Sequence, residues 1–268
     1  YLADNNMQFS SANSINWGRL APQIIYYVSA YCDLFKKDKS VRESGFNVVV
    51  PTGNFGNILA AYYAKKMGVP VKKLICASNS NNVLTDFIKN GTYDRNRKFF
   101  TTISPSMDIL ISSNLERMLF ELSGNDDKVV AELQKNLAET GTFTVNEDIK
   151  AKMTKLFWGG CSSDEQTLKT IKETFLEYGY LADTHTAVAL DVYNQYKAES
   201  GDNTPTVIAS TASPYKFAQS VLSAISDKTE DSEFKFVRTL SELTNSKIPA
   251  PIAALEDATV RFGAVCDK

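Results

Sequence analysis

The chain has 268 residues, 43% of them hydrophobic, which is enough to bury the core of one large domain or two smaller ones. Its 29 lysine and arginine residues nearly balance 31 acidic residues, and a formal net charge of −2 argues against a nucleic-acid or anionic-membrane partner. The cysteines form no Cys-x-x-Cys pair, His185 is the only histidine and no apolar run nears about 18 residues, so we expect no metal site, no membrane span and a cytoplasmic location.

The first part of the chain alternates helical and strand patterns. Apolar residues at helical spacing predict helices, and short β-branched or fully apolar runs such as FNVVV predict buried parallel strands. The predicted helices span residues 20–39, 56–67 and 82–90, and the predicted strands span 46–50 and 71–78. This alternation predicts an α/β fold with a doubly wound parallel sheet.

The rest of the chain suggests a division into three parts. Residues 1–124, which end with a helix through Leu115 and Leu122, are expected to form part of the α/β domain. Residues 125–180 are rich in charge, contain helical patterns at 128–138, 147–157 and 164–178 and show no strand pattern, which predicts a helical insertion or lid. Residues 181–268 are expected to complete the domain, with a helix at 186–197, a strand at 204–210, a helix at 214–226 and a C-terminal tail that ends in one short helix.

A glycine-rich loop lies between the first predicted strand and its helix. It reads Gly53-Asn54-Phe55-Gly56-Asn57. A helix that begins at the carboxyl end of a parallel strand directs backbone N–H groups and a positive partial charge toward an anion. The glycines would permit positive φ, and the asparagines would add amide donors. The spacing matches neither a P-loop nor G-x-G-x-x-G, so we favour a phosphate monoester over a nucleoside triphosphate; an ordinary tight turn is the alternative.

A second group of donors precedes the first helix. The stretch SANSINWGR places Asn13, Ser14, Asn16 and Arg19 within seven residues. A guanidinium group can bind a phosphate or a carboxylate through two hydrogen bonds. The alternative is a helix cap followed by a solvated arginine.

A third group lies in ASTASPYKF, where a predicted strand ends. Ser210, Thr211 and Ser213 bring hydroxyl groups to the same edge of the sheet. Ser213 and Lys216 match Ser-x-x-Lys, but the partner motifs of that hydrolase class are absent. His185, at a helix start, is more typical of a capping or packing residue than of a catalyst. Together the three groups fit a small molecule that carries one phosphate and one carboxylate.

Five motifs in order resemble those of the threonine synthase family, in its long-chain bacterial and fungal branch. They are SANSINWGRLAPQ, PTGNFGNILAAYYAKKMG, SPSMDILISSNLERMLF, DTHTAVA and STASPYKF, and they extend from about Ser11 to about Phe217. The resemblance implies a three-layer parallel sheet of the tryptophan-synthase-β-like fold, fold type II of the pyridoxal-phosphate enzymes. It also implies conversion of O-phospho-L-homoserine and water to L-threonine and phosphate.

The resemblance also implies roles for individual residues. The cofactor phosphate would be held by the loop residues Gly53, Asn54, Phe55, Gly56 and Asn57. Thr211 would bind the pyridine nitrogen of the cofactor. The phosphate and carboxylate of the substrate would be held by Asn13, Ser14, Asn16 and Arg19.

The sequence departs from the family pattern at three places. The Schiff-base lysine of the family lies upstream of the position of Tyr1, so we expect this chain to be a C-terminal part of a threonine synthase that is inactive alone. Thr184 stands where proline is expected, which leaves the roles of Asp183 and His185 open. Ser213 stands where some relatives have histidine.

Three alternatives remain at this point. The protein could be another fold-type-II lyase, such as a serine or threonine dehydratase or a cysteine synthase. It could be a relative that binds the cofactor or a partner without catalysis, or a plain phosphate-binding α/β module. The sequence leaves the oligomeric state open, and a chain that lacks one wall of its cofactor crevice should expose apolar surface.

Overall fold

The computed structural model describes residues 2–8, 13–261 and 263. The strands are β1 (Phe46–Pro51), β2 (Val71–Ser78), β3 (Thr92–Asp94), β4 (Thr142–Thr144), β5 (Phe157–Cys161) and β6 (Thr206–Ile208). Four of them form one parallel sheet in the order β5-β2-β1-β6, and β3 pairs with β4 in an antiparallel ribbon.

Helices connect and cover these strands. The α-helices are α1 (Trp17–Leu20), α2 (Ile24–Lys37), α3 (Val41–Ser44), α4 (Gly56–Lys66), α5 (Val83–Asn90), α6 (Leu115–Leu122), α7 (Asp127–Thr140), α8 (Glu147–Leu156), α9 (Asp164–Tyr178), α10 (Thr184–Ser200), α11 (Ala218–Ile225), α12 (Glu233–Thr244) and α13 (Ala250–Ala253). Short 3₁₀ helices span Ala3–Asn5, Ala21–Gln23, Pro105–Met107 and Pro214–Phe217.

The parallel sheet is buried on both faces. Successive side chains of a strand point to opposite sides, so β1 contributes to two separate cores. Val48 and Val50 belong to a core that contains Leu59 of α4, whereas Val49 packs in a core with Val188 of α10. All six residues of β1 are buried, which explains why every residue of this strand except Asn47 is apolar. The three-layer α/β architecture predicted from the sequence is confirmed.

The prediction that residues 125–180 contain no strand is wrong. β4 lies there, and β5 pairs in parallel with β2 at the edge of the main sheet. β5 contains Gly159 and Gly160, residues with low β propensity, so local sequence gave little sign of it. A Cβ at Gly160 would lie 2.7 Å from the ring of Trp158 and 3.0 Å from Val192 of α10, so close side-chain packing explains the glycine. The division at residues 124 and 180, and any lid motion, stay predictions.

The C-terminal tail contains more helix than expected. The sequence predicts one short helix in the tail, but α12 precedes α13 and buries Phe236, Val237 and Leu240. At the other end of the chain, Trp17, Ile25 and Tyr26 are 51–65% exposed, in keeping with the expected apolar surface.

Within the described residues, no helix is both long and apolar enough to cross a membrane.

Candidate functional site

A cavity of about 1180 Å³ lies at the carboxyl ends of β1 and β6. These strands are neighbours, so the loops that follow them meet at one edge of the sheet. The lining includes predicted site residues from all three donor-rich segments: Asn13, Ser14, Arg19, Gly53, Asn54, Phe55, Gly56, Asn57 and Thr211. The structure therefore brings together three segments that are far apart in the sequence.

In the loop after β1, the residue with positive φ is not one of the two glycines expected to adopt it. Phe55 adopts the left-handed conformation, with φ 61°, whereas Gly53 and Gly56 are not among the residues with positive φ. The glycines are needed for close approach. A Cβ on Gly53 would lie 2.8 Å from the carbonyl oxygen of Ser106, and one on Gly56 would lie 3.3 Å from Nδ2 of Asn114. The backbone strain falls on a phenylalanine whose ring is buried.

The N-terminus of α4 provides unpaired backbone donors. The helix begins at Gly56, and its N-cap residue Phe55 supplies no side-chain cap. Within the described chain, no hydrogen bond uses the N–H groups of Gly56, Asn57 or Ile58, and all three residues line the cavity. The first N–H groups of a helix have no acceptor within it, and the helix dipole adds partial positive charge there. This donor set fits a phosphate group.

Asn57 is held in place from α2. The hydroxyl of Tyr27 donates a hydrogen bond to Oδ1 of Asn57, and Tyr27 is 2% exposed. Burial raises the pKa of the Tyr27 hydroxyl, so it stays neutral and able to donate. The amide nitrogen of Asn57 is left as the polar end that can donate to a ligand.

Only some of the predicted site residues at 13–19 line the cavity. Asn13, Ser14 and Arg19 line the cavity, but Asn16 does not. Oδ1 of Asn16 accepts a hydrogen bond from the N–H of Gly18 at 2.8 Å and caps α1. The geometry therefore favours the capping alternative for Asn16, and a role in substrate binding for this residue stays a prediction.

The loop after β6 also divides into ligand-facing and structural residues. Thr211 is exposed and lines the cavity. The hydroxyl of Ser213 accepts from the N–H of Tyr215 at 3.3 Å and caps the 3₁₀ helix at Pro214–Phe217. Lys216 also lines the cavity, although the sequence gave it no role in ligand binding.

Asp183 and His185 form a buried support at the wall of the cavity, which His185 lines. Asp183 caps α10 by accepting from the N–H groups of His185 and Thr186. Burial opposes the charge of Asp183, but hydrogen bonds from His185 and Thr186 prevail and lower its carboxyl pKa. Nε2 of His185 accepts from the N–H of Ser106 at 3.2 Å, which fixes the loop that packs against Gly53. The capping and packing interpretation of His185 accounts for these contacts.

The lining of the cavity carries positive but no negative side chains among the described residues. Among the described residues that line it, Arg19 and Lys216 carry positive charge and none is aspartate or glutamate. With the N-terminus of α4 added, the lining favours anions. Two cations and one helix N-terminus could accommodate a ligand set with more than one negative group.

Comparison with known proteins identifies relatives over most of the chain. Residues 186–267 match the family model for the C-terminal part of threonine synthase. The chain is 47% identical over 220 residues to threonine synthase-like 1 of Pongo abelii, which covers 82% of this chain and 29% of that protein.

Solved structures give the same result. The structure of yeast threonine synthase superposes with a TM-score of 0.80 at 34% identity, over 96% of this chain and 50% of that chain. A pyridoxal-phosphate-bound threonine synthase from Brucella melitensis gives a TM-score of 0.75 at 37% identity, over 89% and 48% of the two chains. The predicted fold-type-II architecture is confirmed, and the chain spans about half of the length of these structures.

Proposed function

The chain belongs to the threonine synthase family, and on that premise we propose that its cavity binds pyridoxal 5′-phosphate and O-phospho-L-homoserine. The complete protein would convert O-phospho-L-homoserine and water to L-threonine and phosphate. This chain would supply the C-terminal part of that enzyme, with the cofactor phosphate site and much of the substrate pocket.

The observation that carries the proposal is the composition of the cavity. Arg19 and Lys216 line it together with the uncapped N-terminus of α4, and no acidic residue is among its described lining residues. A cofactor phosphate and a substrate with a phosphate and a carboxylate need several such donors. A dehydratase or cysteine synthase substrate has no phosphate, so the added cationic groups favour the phosphorylated substrate.

The residues present fit the cofactor of the family. The N–H groups at the start of α4 and the amide of Asn57 would hold its phosphate, and Thr211 would bind its pyridine nitrogen through a neutral hydroxyl. When bound, pyridoxal phosphate supplies an electron sink for negative charge that develops on substrate carbon atoms. Arg19, Asn13 and Ser14 would orient the substrate, and Lys216 would add positive charge near its anionic groups.

The residue that would bond to the cofactor is not assigned within this chain. Lys216 is the one lysine among the described lining residues, and it belongs to the turn that follows β6. By family resemblance this turn faces the pyridine side of the cofactor, so we do not give Lys216 the Schiff-base role. The resemblance assigns the Schiff-base role to a lysine other than Lys216, and the proposed activity is that of the complete protein.

Phosphate release by the product of the complete reading frame tests the proposal. With pyridoxal phosphate and O-phospho-L-homoserine, we expect release of inorganic phosphate and formation of threonine, and little deamination of serine or threonine. The variant Arg19→Ala should lose this activity steeply, while Arg42→Ala, an exposed arginine on α3, should retain it. Deamination without phosphate release would favour another fold-type-II lyase. Cofactor binding with neither reaction would favour a non-catalytic relative.

Two further expectations accompany this function. A cytoplasmic location would place the enzyme with its small, charged metabolites. The absence of nucleic-acid and membrane partners stays a prediction that rests on the balanced charge of the chain.

A further inference from the structure

We propose that Asn114 is a positioning residue that ties the substrate-binding segment at 13–19 to the phosphate-binding loop at 53–57. The inference rests on the proposed function for the identity of the ligands. Asn114 lies just before α6, and its side chain is fully buried beside the cavity.

Asn114 and Ser112 hold consecutive carbonyl groups of the loop. The backbone N–H and the Nδ2 of Asn114 both donate to the carbonyl oxygen of Asn54, at 3.1 and 2.9 Å. Oγ of Ser112 donates to the carbonyl oxygen of Gly53 at 2.9 Å. Three hydrogen bonds therefore fix two adjacent peptide groups of the loop.

Fixing these carbonyls also fixes the direction of the neighbouring donors. In a trans peptide the C=O and the following N–H point in opposite directions. The carbonyls of Gly53 and Asn54 point toward residues 112–114, so the N–H groups of Asn54 and Phe55 point away from them. Both residues line the cavity. Preorganised donors of this kind bind an anion without a cost of reorientation.

The same side chain reaches the substrate-binding segment. Nδ2 of Asn114 also donates to the carbonyl oxygen of Ser14 at 3.2 Å. An amide nitrogen has two hydrogens, so the contacts to Asn54 and Ser14 use its full donor capacity. Oδ1 of Asn114 accepts from the guanidinium of Arg117, which defines the orientation of the amide.

The absence of a side chain at Gly56 makes this arrangement possible. A Cβ at that position would lie 3.3 Å from Nδ2 of Asn114 and 3.8 Å from the carbonyl oxygen of Ser14. Asn114 thus occupies the point where the two segments and the start of α4 meet. Its loss would release both segments at once.

The test compares the affinity of the purified protein for pyridoxal 5′-phosphate with its affinity for pyridoxal, which lacks the phosphate. Asn114→Asp keeps the shape and the acceptor for Arg117 but removes the Nδ2 donor; Asn114→Ala removes the whole amide. We expect each to weaken pyridoxal phosphate binding by about tenfold while pyridoxal binding changes much less. A purely structural role would weaken both ligands alike.

Asn47→Ala is the matched control. Asn47 is 1% exposed and hydrogen-bonded on both ends of its amide, but it lies at the opposite end of β1. We expect Asn47→Ala to lower thermal stability and leave the ratio of the two affinities unchanged. If Asn114→Ala does not fold, Asn114→Asp alone decides the outcome.

Two results would contradict the inference in distinguishable ways. If the unmodified protein prefers pyridoxal phosphate and the Asn114 variants keep that preference, the positioning role is wrong and the proposed function stands. If the unmodified protein shows no preference for the phosphorylated ligand, the proposed function itself fails, and the role of Asn114 fails with it.

Discussion

The two ends of the parallel sheet use similar polar groups in opposite ways. At the N-terminal end of β1, Nδ2 of Asn47 donates to Oδ2 of Asp202 at 2.9 Å. The same carboxylate accepts from the hydroxyl of Tyr196 at 2.7 Å and from the N–H of Thr204 at 2.9 Å. The polar groups at this end pair with each other, and their contribution is to stability.

At the C-terminal end of β1 the corresponding donors face a cavity. The first N–H groups of α4 have no acceptor among the described residues, and Arg19 and Lys216 line the same space. Unpaired donors at a helix start are retained where a ligand can satisfy them. Changes at the N-terminal end should therefore alter stability alone, whereas changes at the C-terminal end should alter binding.

The largest effect is expected from Gly53→Ala, which should lower both the stability of the fold and the affinity for phosphate. Its Cβ would lie 2.8 Å from the carbonyl oxygen of Ser106, so the loop must move. We expect a loss of about 1–3 kcal/mol in the free energy of unfolding and the loss of most phosphate binding. Gly56→Ala, with a nearest contact at 3.3 Å, should cost less stability. Urea unfolding and phosphate titration measure both; an unchanged affinity in Gly53→Ala would argue against this loop as the phosphate site.

Arg19→Ala should separate binding from stability. Arg19 is exposed and lines the cavity, so we expect the free energy of unfolding to change by less than about 0.5 kcal/mol. Loss of a charge-assisted contact should weaken O-phospho-L-homoserine binding by about thirtyfold, or about 2 kcal/mol. Calorimetric titration with Arg42→Ala as the control checks this. Equal affinities of the two variants for O-phospho-L-homoserine would show that Arg19 does not bind the substrate.

Asp202→Asn should affect stability alone. The hydrogen bond from Thr204 is the largest cause of the low carboxyl pKa of Asp202, and bonds from Asn47 and Tyr196 add to it. A carboxyl whose pKa is lower in the folded state stabilises the fold above its unfolded pKa of about 4, and this contribution is lost as pH falls toward the folded pKa. We expect a loss of about 1–2 kcal/mol at pH 7, discounted for partial exposure to solvent.

The pH dependence gives that prediction a second measurement. The stability difference between the unmodified protein and Asp202→Asn should shrink as the pH is lowered below about 4, because protonation removes the charge from Asp202. Ligand affinity at pH 7 should be the same in both proteins. A difference in affinity would show that the two ends of the sheet are not independent.

The smallest effect is expected from Thr211→Val. Valine keeps the shape of threonine but removes the hydroxyl proposed to bind the pyridine nitrogen. We expect pyridoxal phosphate affinity to fall by about fivefold, which corresponds to about 1 kcal/mol, with stability nearly unchanged. Thr154→Val, an exposed position on α8, serves as the control. Fluorescence titration measures the pyridoxal phosphate affinity of the two variants. Equal affinities of Thr211→Val and Thr154→Val would show that Thr211 has no role in cofactor binding.

The sequence predicted the parts of the fold that have strong local patterns. VKKLICAS became β2 with the predicted bounds, because the mostly apolar run at 74–78 is typical of a strand that is buried on both faces. β5 was missed because tertiary packing explains its glycines. A Cβ at Gly159 would lie 3.2 Å from Thr85 of α5, and one at Gly160 would meet the ring of Trp158 and Val192 of α10. The helix α12 was missed although Phe236, Val237 and Leu240 have helical spacing.

Within the candidate site, segments were predictable and individual roles were not. The order strand, glycine-rich loop, helix was enough to indicate an anion site at residues 53–57. The left-handed conformation of Phe55, which is buried, has no local sequence signal, because a bulky side chain rarely adopts a positive φ. Asn114 acts through backbone carbonyls of two distant segments, so its role became visible only once the chain was folded.

The most direct test of the proposed cofactor site is a crystal structure of the protein with pyridoxal 5′-phosphate bound. We predict that the phosphate accepts hydrogen bonds from the N–H groups at the start of α4, near Gly56 and Asn57, and that the ring lies beside Thr211. A phosphate bound elsewhere, with the N-terminus of α4 unliganded, would contradict the assignment of this edge of the sheet as the cofactor site.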